Sequence, residues 1–220
     1  MCIEAVASPT LPSGIAVLPV GSLEWHCGAP MGLDAVIAEA VARMLCEALS
    51  ELGCRAVLLP TIYYGASGEW SGYGEVGVDR RALLDYLSSL LARLSMHFGE
   101  IVVVNGHGGN SAVVRAAAES VVYNGLASRP PRVYVLEWWR LLGHRLGHMD
   151  RVEALLAAGL LGREAPVCEC RGFTQPTWHV ECRLVGRVKP GKEAEEAVGA
   201  LRRAVRDYAS SLCRRPAGRT

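Results

Sequence analysis

The sequence lacks the features that mark membrane, secreted and nucleic-acid-binding proteins. No run reaches the roughly 20 apolar residues that a membrane-spanning helix needs. The N-terminus has no basic region followed by an apolar stretch, so it predicts no signal peptide. The 23 basic and 22 acidic residues leave a net charge of only +1, which gives no electrostatic attraction to nucleic acid or membrane surfaces. We therefore expect a cytoplasmic protein without nucleic-acid or membrane partners.

The eight cysteines include no Cys-x-x-Cys pair. In a reducing cytosol we expect most of them to be buried small hydrophobic residues, although intracellular disulfides do occur in hyperthermophiles. The scarcity of Asn, Gln and Lys is compatible with such a source, but a high-GC genome gives a similar bias. A cluster of Cys168-x-Cys170, His179 and Cys182 fits no standard zinc finger. A disulfide or plain burial is therefore favoured there over a structural zinc site.

The chain has 220 residues, half of them hydrophobic, and contains no repeat, low-complexity tract or long linker. This length and composition predict one domain over residues 1–220 with a sizeable core. A short basic tail occupies about residues 214–220, where Arg214, Arg215 and Arg219 lie.

Strand-like and helix-like segments alternate along the chain. Apolar runs predict strands at 14–20, 55–59, 100–105 and 132–136, and a further strand is expected at 179–188. Apolar residues at helical spacing predict helices at 34–52, 80–94, 110–123, 151–161 and 191–212. A loop rich in glycine and aromatic residues occupies 63–78. This order predicts an α/β three-layer sandwich, a mostly parallel sheet with helices on both faces.

Polar residues follow each of the four main predicted strands. Glu24 and His26 come after the first, residues 63–75 after the second, 105–110 after the third and 137–139 after the fourth. Because ligands of such sheets bind beyond the carboxyl ends of the strands, these clusters are expected to meet at one edge. This convergence is the strongest indication of a functional site.

Glu24-Trp25-His26 places a carboxylate and an imidazole two residues apart. In an extended segment such residues point the same way, so they could offer one oxygen and one nitrogen ligand to a metal. An exposed loop pair is the plain alternative. Asp34 opens the next predicted helix, and the plain alternative for it is an N-cap.

Three glycines surround a histidine in Asn105-Gly-His107-Gly-Gly-Asn110. Glycines permit unusual backbone angles and the close approach of a ligand. A phosphate-binding loop is the competing interpretation, because the run lies between a strand and a helix. However, neither Gly-Lys-Ser/Thr nor Gly-x-Gly-x-x-Gly is present. A metal-binding or catalytic His107 is therefore favoured.

These blocks together resemble the creatininase family, creatinine amidohydrolase and its relatives. The resemblance rests on Leu18-Pro-Val-Gly-Ser-Leu-Glu24-Trp-His26, Gly32-Leu-Asp34 and Val104-Asn-Gly-His107-Gly-Gly-Asn110, and it covers most of residues 14–155. It implies an α/β sandwich, a homo-oligomer (commonly a hexamer), and one or two divalent ions that assist cleavage of amide or cyclic-amide C–N bonds. It also implies that Glu24, His26, Asp34 and His107 are metal ligands, with Asp34 bridging if two ions bind. Oxygen and nitrogen ligands fit Zn, Mn or Fe.

Two downstream segments depart from the family pattern. The family's Ser-x-Glu-His becomes Ser67-Gly-Glu69-Trp70 here. Its His-Ala-Gly-Glu-x-Glu-Thr-Ser run has His148-Met-Asp150-Arg151-Val-Glu153 as its nearest counterpart, in which the histidine and the second glutamate match. The resemblance therefore implies His148 and Glu69 as catalytic residues and Glu153 as a further metal ligand.

The remaining site candidates would bind substrate: Asn105, Gly108, Gly109, Asn110, Trp70 and Trp138. Plain alternatives exist for several residues. His148 could belong to a polar helical face with His144, Arg145 and Arg151, and Glu69 could be a loop-tip charge. Trp138 and its neighbour Trp139 are more often packing or subunit-contact residues.

The predicted function is a metal-dependent amidohydrolase that cleaves a non-peptide amide with a metal-activated water. His148 would carry a proton to the leaving nitrogen. Within the family, the candidate substrates are creatinine and the formamido-pyrimidine nucleotide of archaeal deformylases, and composition leans towards the second. A phosphate-bearing substrate would need cationic partners, for which Arg80, Arg81 or Arg151 could serve.

Two alternatives remain open. The first is a metal-binding but catalytically altered family member that acts as a binding or assembly protein. The second is a divergent enzyme in which Trp70 fills space that another substrate once used.

Overall fold

A single parallel sheet forms the centre of the molecule. The computed structural model describes residues 2–5, 10, 12–123, 125–127, 130–145, 147–172 and 180–214. The strands are β1 (Cys2–Glu4), β2 (Ile15–Val20), β3 (Ala56–Leu58), β4 (Glu100–Asn105) and β5 (Arg132–Glu137). Their order across the sheet is β1-β3-β2-β4-β5, and every neighbouring pair is parallel. The four main strands of this sheet lie where the sequence predicts them.

Helices cover the sheet on both faces, as predicted. They are α1 (Leu33–Glu51), α2 (Arg80–Leu94), α3 (Ser111–Val122), α4 (Trp138–Leu141), α5 (Arg151–Leu161) and α6 (Lys192–Cys213). Among the described helices, none is long and apolar enough to cross a membrane.

The continuous apolar run of β2 reflects burial on both faces. Ile15 and Val17 pack into a cluster with α1, α5 and α6, whereas Ala16, Leu18 and Val20 pack against α2 and α3. Successive side chains of a strand point to opposite faces, so a strand covered on both sides is apolar throughout. This double cover makes the sheet a rigid support for the loops at its carboxyl edge.

A second, two-stranded sheet was only half predicted. It pairs β6 (Ala165–Arg171) with β7 (Glu181–Val188) in antiparallel fashion, and the register shifts between Val167 and Cys168. The sequence predicts a strand at 179–188 but not its partner, whose alternation the bulge interrupts. Strand β1 was missed as well, because three residues are too few to show a period. His179 and the basic residues beyond Arg214 lie outside the described residues.

The expectation that most cysteines are unpaired is wrong. All eight are joined, as Cys2–Cys46, Cys27–Cys168, Cys54–Cys213 and Cys170–Cys182. The partners in the first three pairs are 44, 141 and 159 residues apart in sequence, so only the fold brings them together. Cys170 and Cys182 are direct cross-strand neighbours with Cα atoms 4.1 Å apart, and the favoured disulfide at that cluster is confirmed.

Candidate metal centre

The carboxyl edge of the sheet carries a group of buried acids and histidines. Glu24 and His26 follow β2, Asp34 lies in the first turn of α1, and His107 follows β4. A cavity of about 520 Å³ opens onto this group, and its lining includes Glu24, Asp34, Glu69, His107, His148 and Glu153. Three of the four polar clusters that the sequence places at this edge therefore contribute to one site.

Asp34 lies at the middle of the group and directs its two oxygens to different histidines. Its Oδ2 is 2.9 Å from Nδ1 of His107, and its Oδ1 is 3.3 Å from Nε2 of His26. Ser22 donates a 2.8 Å hydrogen bond to Oδ2. The N-cap residue of α1 is Gly32, without a side-chain cap, so the N-cap alternative for Asp34 is wrong. A carboxylate with one oxygen on each side is suited to bridge two cations.

Backbone carbonyls fix which nitrogen each histidine offers to the site. Nδ1 of His26 lies 2.8 Å from the carbonyl oxygen of Glu24, and Nε2 of His107 lies 3.1 Å from that of Ala66. Because a carbonyl can only accept, the nitrogen facing it must carry the hydrogen. Nε2 of His26 and Nδ1 of His107 are thereby left to bind a metal, an arrangement common around metal-ligating histidines.

Three overlapping groups of three residues could each hold a metal ion. Within each group, the three ligand atoms lie within 4.8 Å of one another. One is Glu24, Asp34 and His107, the second is His26, Asp34 and Glu153, and the third is Glu24, His26 and His148. The first two share Asp34 and use every other ligand once. Glu24 and His26 are each only 1% exposed, so the exposed-loop alternative for them is wrong.

The carboxylates of this group repel one another in the absence of a cation. Burial raises the pKa of Glu24 to about 7, and burial together with the charge of Asp34 raises the pKa of Glu153 to about 8. Burial would raise the pKa of Asp34 too, but His26 and His107 hold it well below its usual range. The acids thus differ sharply in how readily they ionise.

The histidines respond in the opposite sense. Burial opposes a charge on His26, yet the carboxylate of Asp34 outweighs it and raises the pKa of His26 to about 9. Burial likewise opposes a charge on His107, whose pKa the Glu24 and Asp34 carboxylates raise well above its usual value. Oε2 of Glu24 lies 3.3 Å from Nδ1 of His107, but within the described part of the chain neither buried oxygen of Glu24 has a hydrogen-bond partner. A divalent cation fits this donor set, because it would supply the positive charge that protons supply here.

Glu69 lies behind His107 and away from Asp34. Its Oε1 is 3.4 Å from Nε2 of His107, and the charge of that histidine outweighs burial and lowers the pKa of Glu69. The side chain is 11% exposed, so the loop-tip alternative is wrong. This contact suits a residue that orients His107, whereas the resemblance implies direct catalysis.

The asparagines of the glycine-rich run hold the loops of the site together. Asn110 accepts a hydrogen bond from the backbone N–H of Ala66 and donates one to the carbonyl of Gly21, both at 2.8 Å. Asn105 accepts from the backbone N–H of His107 at 3.2 Å. Gly108 and Gly109 line the cavity, whereas neither asparagine is among its lining residues. The glycines thus border the cavity, and the asparagines support the loops that carry them.

His148 is buried at the rim of the metal group. It is 8% exposed, precedes α5, and its Nδ1 is 3.7 Å from Oε1 of Glu24. It therefore does not lie on a polar helical face. Burial and the charge of His26 lower the pKa of His148 to about 3. Trp70 stacks on it with ring centroids 3.8 Å apart.

The departures at Asp150 and Arg151 leave the site intact. Asp150 is the N-cap of α5 and accepts from the backbone N–H groups of Val152 and Glu153 at 2.9 and 3.1 Å. Arg151 faces outward and donates to Glu193 at 2.6 Å. Glu153, from the first turn of α5, accepts from the backbone N–H of Met149 at 2.6 Å. The altered segment thus still directs Glu153 towards the buried acids and histidines of the site.

Trp138 does not line the cavity. It is fully buried in the core, packs edge-on against Trp139, and donates to the carbonyl of Gly106 at 3.4 Å. The packing alternative describes it better than substrate binding does. Glu137, at the end of β5, forms ion pairs with Arg115 and Arg140, so the fourth polar cluster does not join the site.

Ser22, Arg145 and Arg171 are among the site residues that sequence reasoning missed. Ser22 contacts Asp34, and its position two residues before Glu24 on an extended segment was the available signal. Arg145 and Arg171 line the cavity beside Arg80, but no motif marks either of them. Of the other cations considered, Arg81 pairs with Asp85 and lies outside the cavity lining.

A family model and several curated proteins match parts of this chain. A family model described as Creatininase: Creatinine amidohydrolase matches residues 4–159. A mycofactocin precursor peptide peptidase of Mycolicibacterium smegmatis is 39% identical over 114 residues, which cover 50% of this chain and 46% of that protein. One from Mycobacterium tuberculosis is 36% identical over 108 residues, 46% of this chain and 43% of that protein. The chain thus matches about half the length of these curated relatives.

Solved structures share the fold. A creatinine amidohydrolase (creatininase) aligns over 92% of this chain and 91% of its own, with a TM-score of 0.68 and 20% identity. A creatininase named for Mn aligns over 92% of both chains with a TM-score of 0.69 and 19% identity. A mutant creatininase of the Zn-Zn type aligns over the same shares, with a TM-score of 0.70 and 18% identity. At such identities, the likeness establishes a common architecture.

Proposed function

This chain belongs to the creatininase family, and we propose that it is a metal-dependent amidohydrolase with two divalent ions bridged by Asp34. The observation that carries the proposal is the pair of three-ligand groups that share this residue. Glu24 and His107 would hold one ion, and His26 and Glu153 the other. Zn or Mn is favoured, because structural neighbours carry these metals in their names. When bound, such ions polarise an amide carbonyl and activate a water molecule.

The chain's own residues would manage the protons. His148 lies beside the buried acids and histidines, with Nδ1 3.7 Å from Oε1 of Glu24, and would carry a proton to the leaving nitrogen. Its lowered pKa keeps it neutral at pH 7 and would make its protonated form a strong acid towards that nitrogen. The stacked ring of Trp70 fixes the plane of the imidazole and excludes water from one side. Glu69 and the carbonyl of Ala66 would hold His107 in the orientation that directs Nδ1 to Asp34.

We further propose that the substrate is an amide with a negative charge. The guanidinium-bearing residues Arg80, Arg145 and Arg171 line the same cavity as the metal group. Two divalent ions would neutralise most of the surrounding carboxylates, and Arg145 and Arg171 would then attract an anion. A non-peptide amide or formamide that bears a phosphate or carboxylate meets this requirement.

A short peptide is the second candidate substrate. The curated relatives are named as peptidases of a precursor peptide, and a peptide's terminal carboxylate would also suit the arginines. The relatives match over about half their length, so their substrate enters only as a candidate. A metal-binding, catalytically altered protein is the remaining alternative.

The test is an amide panel assayed with metal-loaded protein and its Asp34→Asn variant. The panel contains creatinine, a formamido-pyrimidine nucleotide and short peptides with free or amidated C-termini. We expect the wild type to release amine or formate from an anionic amide. The rate of hydrolysis should fall by roughly 1,000-fold or more in the variant, because bound metal contributes several kcal/mol to such reactions. Metal binding without hydrolysis of any member would instead support the altered-protein alternative. Preference for amidated over free peptides would contradict the role of the arginines.

A further inference from the structure

Four cysteines form a compact group beside the metal centre. They belong to two disulfides, Cys27–Cys168 and Cys170–Cys182. The sulfur atoms of Cys27, Cys170 and Cys182 all lie within 4.8 Å of one another, and Cys168 is bonded to the first of them. The two disulfides are therefore adjacent, and their four cysteines come from three parts of the chain.

This cysteine group is connected to the candidate metal centre through Cys27, Cys168 and Cys170. Cys27 directly follows His26 in sequence. The backbone N–H of Cys168 donates to the carbonyl of Met149 at 2.7 Å, and the N–H of Met149 in turn donates to Glu153 at 2.6 Å. Cys170 lines the cavity that contains His148 and Glu153. The cysteine group is thus connected to His26 and Glu153, the two residues proposed to hold the same ion.

We propose that Cys27, Cys168, Cys170 and Cys182 form a second metal site, a four-thiolate Zn²⁺ site, when a dithiol reduces the two disulfides. Each disulfide takes up two electrons and two protons from one dithiol, which becomes a cyclic disulfide. Four thiols result, and Zn²⁺ binding then releases their protons to solvent. The oxidised and the zinc-bound forms are alternative states of the same four residues.

The geometry suits zinc. Four sulfurs bound tetrahedrally at about 2.3 Å lie roughly 3.8 Å apart, a shorter separation than the 4.8 Å limit that already encloses three of them. These three sulfurs would therefore need only small side-chain movements to close onto an ion, and Cys168 would join them once its bond to Cys27 is reduced. Thiolates are soft ligands that select zinc over the harder cations which carboxylates favour. The group therefore differs in chemistry from the oxygen-and-nitrogen centre beside it and does not depend on its proposed function.

Zinc content in the two redox states tests this inference. Protein is purified oxidised, or reduced with excess dithiothreitol and then freed of reductant anaerobically. Both are loaded with zinc, desalted and measured by mass spectrometry. We expect one additional zinc per chain in the reduced form. Cobalt loading should give sulfur-to-cobalt charge-transfer absorption in the reduced protein alone.

Variants distinguish this site from the neighbouring centre. Cys170→Ser with Cys182→Ser should abolish the additional zinc and the cobalt absorption. Cys2→Ala with Cys46→Ala removes a remote disulfide and should retain both signals. His107→Ala should lose metal from the other centre yet keep the additional zinc, so the two claims fail separately. Equal zinc content in the oxidised and reduced wild type, or cobalt absorption that survives in the Cys170–Cys182 double variant, would overturn the proposal.

Discussion

The indole of Trp70 stacks on the imidazole of His148, with ring centroids 3.8 Å apart and planes inclined by 29°. Trp70 stands where the family pattern has a histidine, and it is 1% exposed. It also lies 5.9 Å from both Trp25 and Tyr73, ring to ring. Trp70 and its aromatic neighbours thus pack His148, the proposed proton carrier, against the buried acids and histidines.

This stack predicts a graded response to substitution at Trp70. Aromatic pairs contribute about 0.5–1.5 kcal/mol, so loss of the pair should lower kcat by roughly 2- to 10-fold. Trp70→Phe retains a ring and should stay within about threefold of the wild type on the same scale. Trp70→Ala should lose more, mainly in kcat. A folded Trp70→Ala protein with unchanged kcat would show that the stack does not matter for the reaction.

Shared ligation by Asp34 predicts different metal losses in two variants. Glu153 belongs to only one of the two groups that share Asp34. Glu153→Gln should therefore remove one ion, whereas Asp34→Asn should remove both. Atomic absorption on oxidised protein gives the counts, with exposed His97→Ala as the control that retains the wild-type content. Equal losses in the two site variants would contradict a bridging role.

The hydroxyl of Ser22 should tune metal affinity without binding metal itself. It donates to Oδ2 of Asp34 at 2.8 Å, and loss of such supporting bonds typically weakens metal binding by about 10- to 100-fold. Ser22→Ala should show this change in a competition titration with a chromogenic chelator. Ser88→Ala, a buried serine in α2, is the matched control and should keep the wild-type affinity.

Gly109 should tolerate no side chain. A Cβ there would overlap Nε2 of His107, the carbonyl oxygen of Ala66 and Oε1 of Glu69, that is, the histidine and the two groups that orient it. Gly109→Ala should therefore weaken metal binding and lower kcat by at least about 10-fold. Gly72→Ala, where a Cβ meets nothing within 4 Å, should behave as the wild type. If both variants match the wild type, the loop does not orient His107.

The disulfide Cys54–Cys213 should stabilise the fold from a distance. It joins Cys54, two residues before β3, to the last turn of α6 and closes a loop of 159 residues. Chain entropy predicts about 5 kcal/mol for such a loop. Cys54→Ala with Cys213→Ala should lower the urea midpoint accordingly, with metal content unchanged. A midpoint shift that corresponds to a loss of less than about 1 kcal/mol in the free energy of unfolding would contradict this prediction.

Much of the fold and the first part of the site follow from the sequence. The doubly buried run of β2 and the glycines around His107 carry strong local signals, and the resemblance adds Asp34 and Glu153 to the ligand set. The disulfide Cys27–Cys168 joins residues 141 apart, so no local pattern predicts it. Trp138 was predicted to bind substrate but is buried in the core, because a tryptophan that follows a strand end can pack inward as easily as towards a ligand.

The supporting residues could not be predicted for the same physical reason. Ala66 contributes a backbone carbonyl, which is independent of the side chain that the sequence records. Arg145 and Arg171 come from the segments before α5 and at the end of β6, and only tertiary packing brings them together. The cytoplasmic location and the homo-oligomer stay predictions.

The number of divalent ions bound per oxidised chain tests the central claim most directly. Protein is stripped with a chelator, reloaded with Zn²⁺ or Mn²⁺, desalted and measured by inductively coupled plasma mass spectrometry. The shared position of Asp34 between two ligand groups predicts two ions in the wild type and none in Asp34→Asn. A wild-type chain that retains only one ion, or none, after loading would contradict the account.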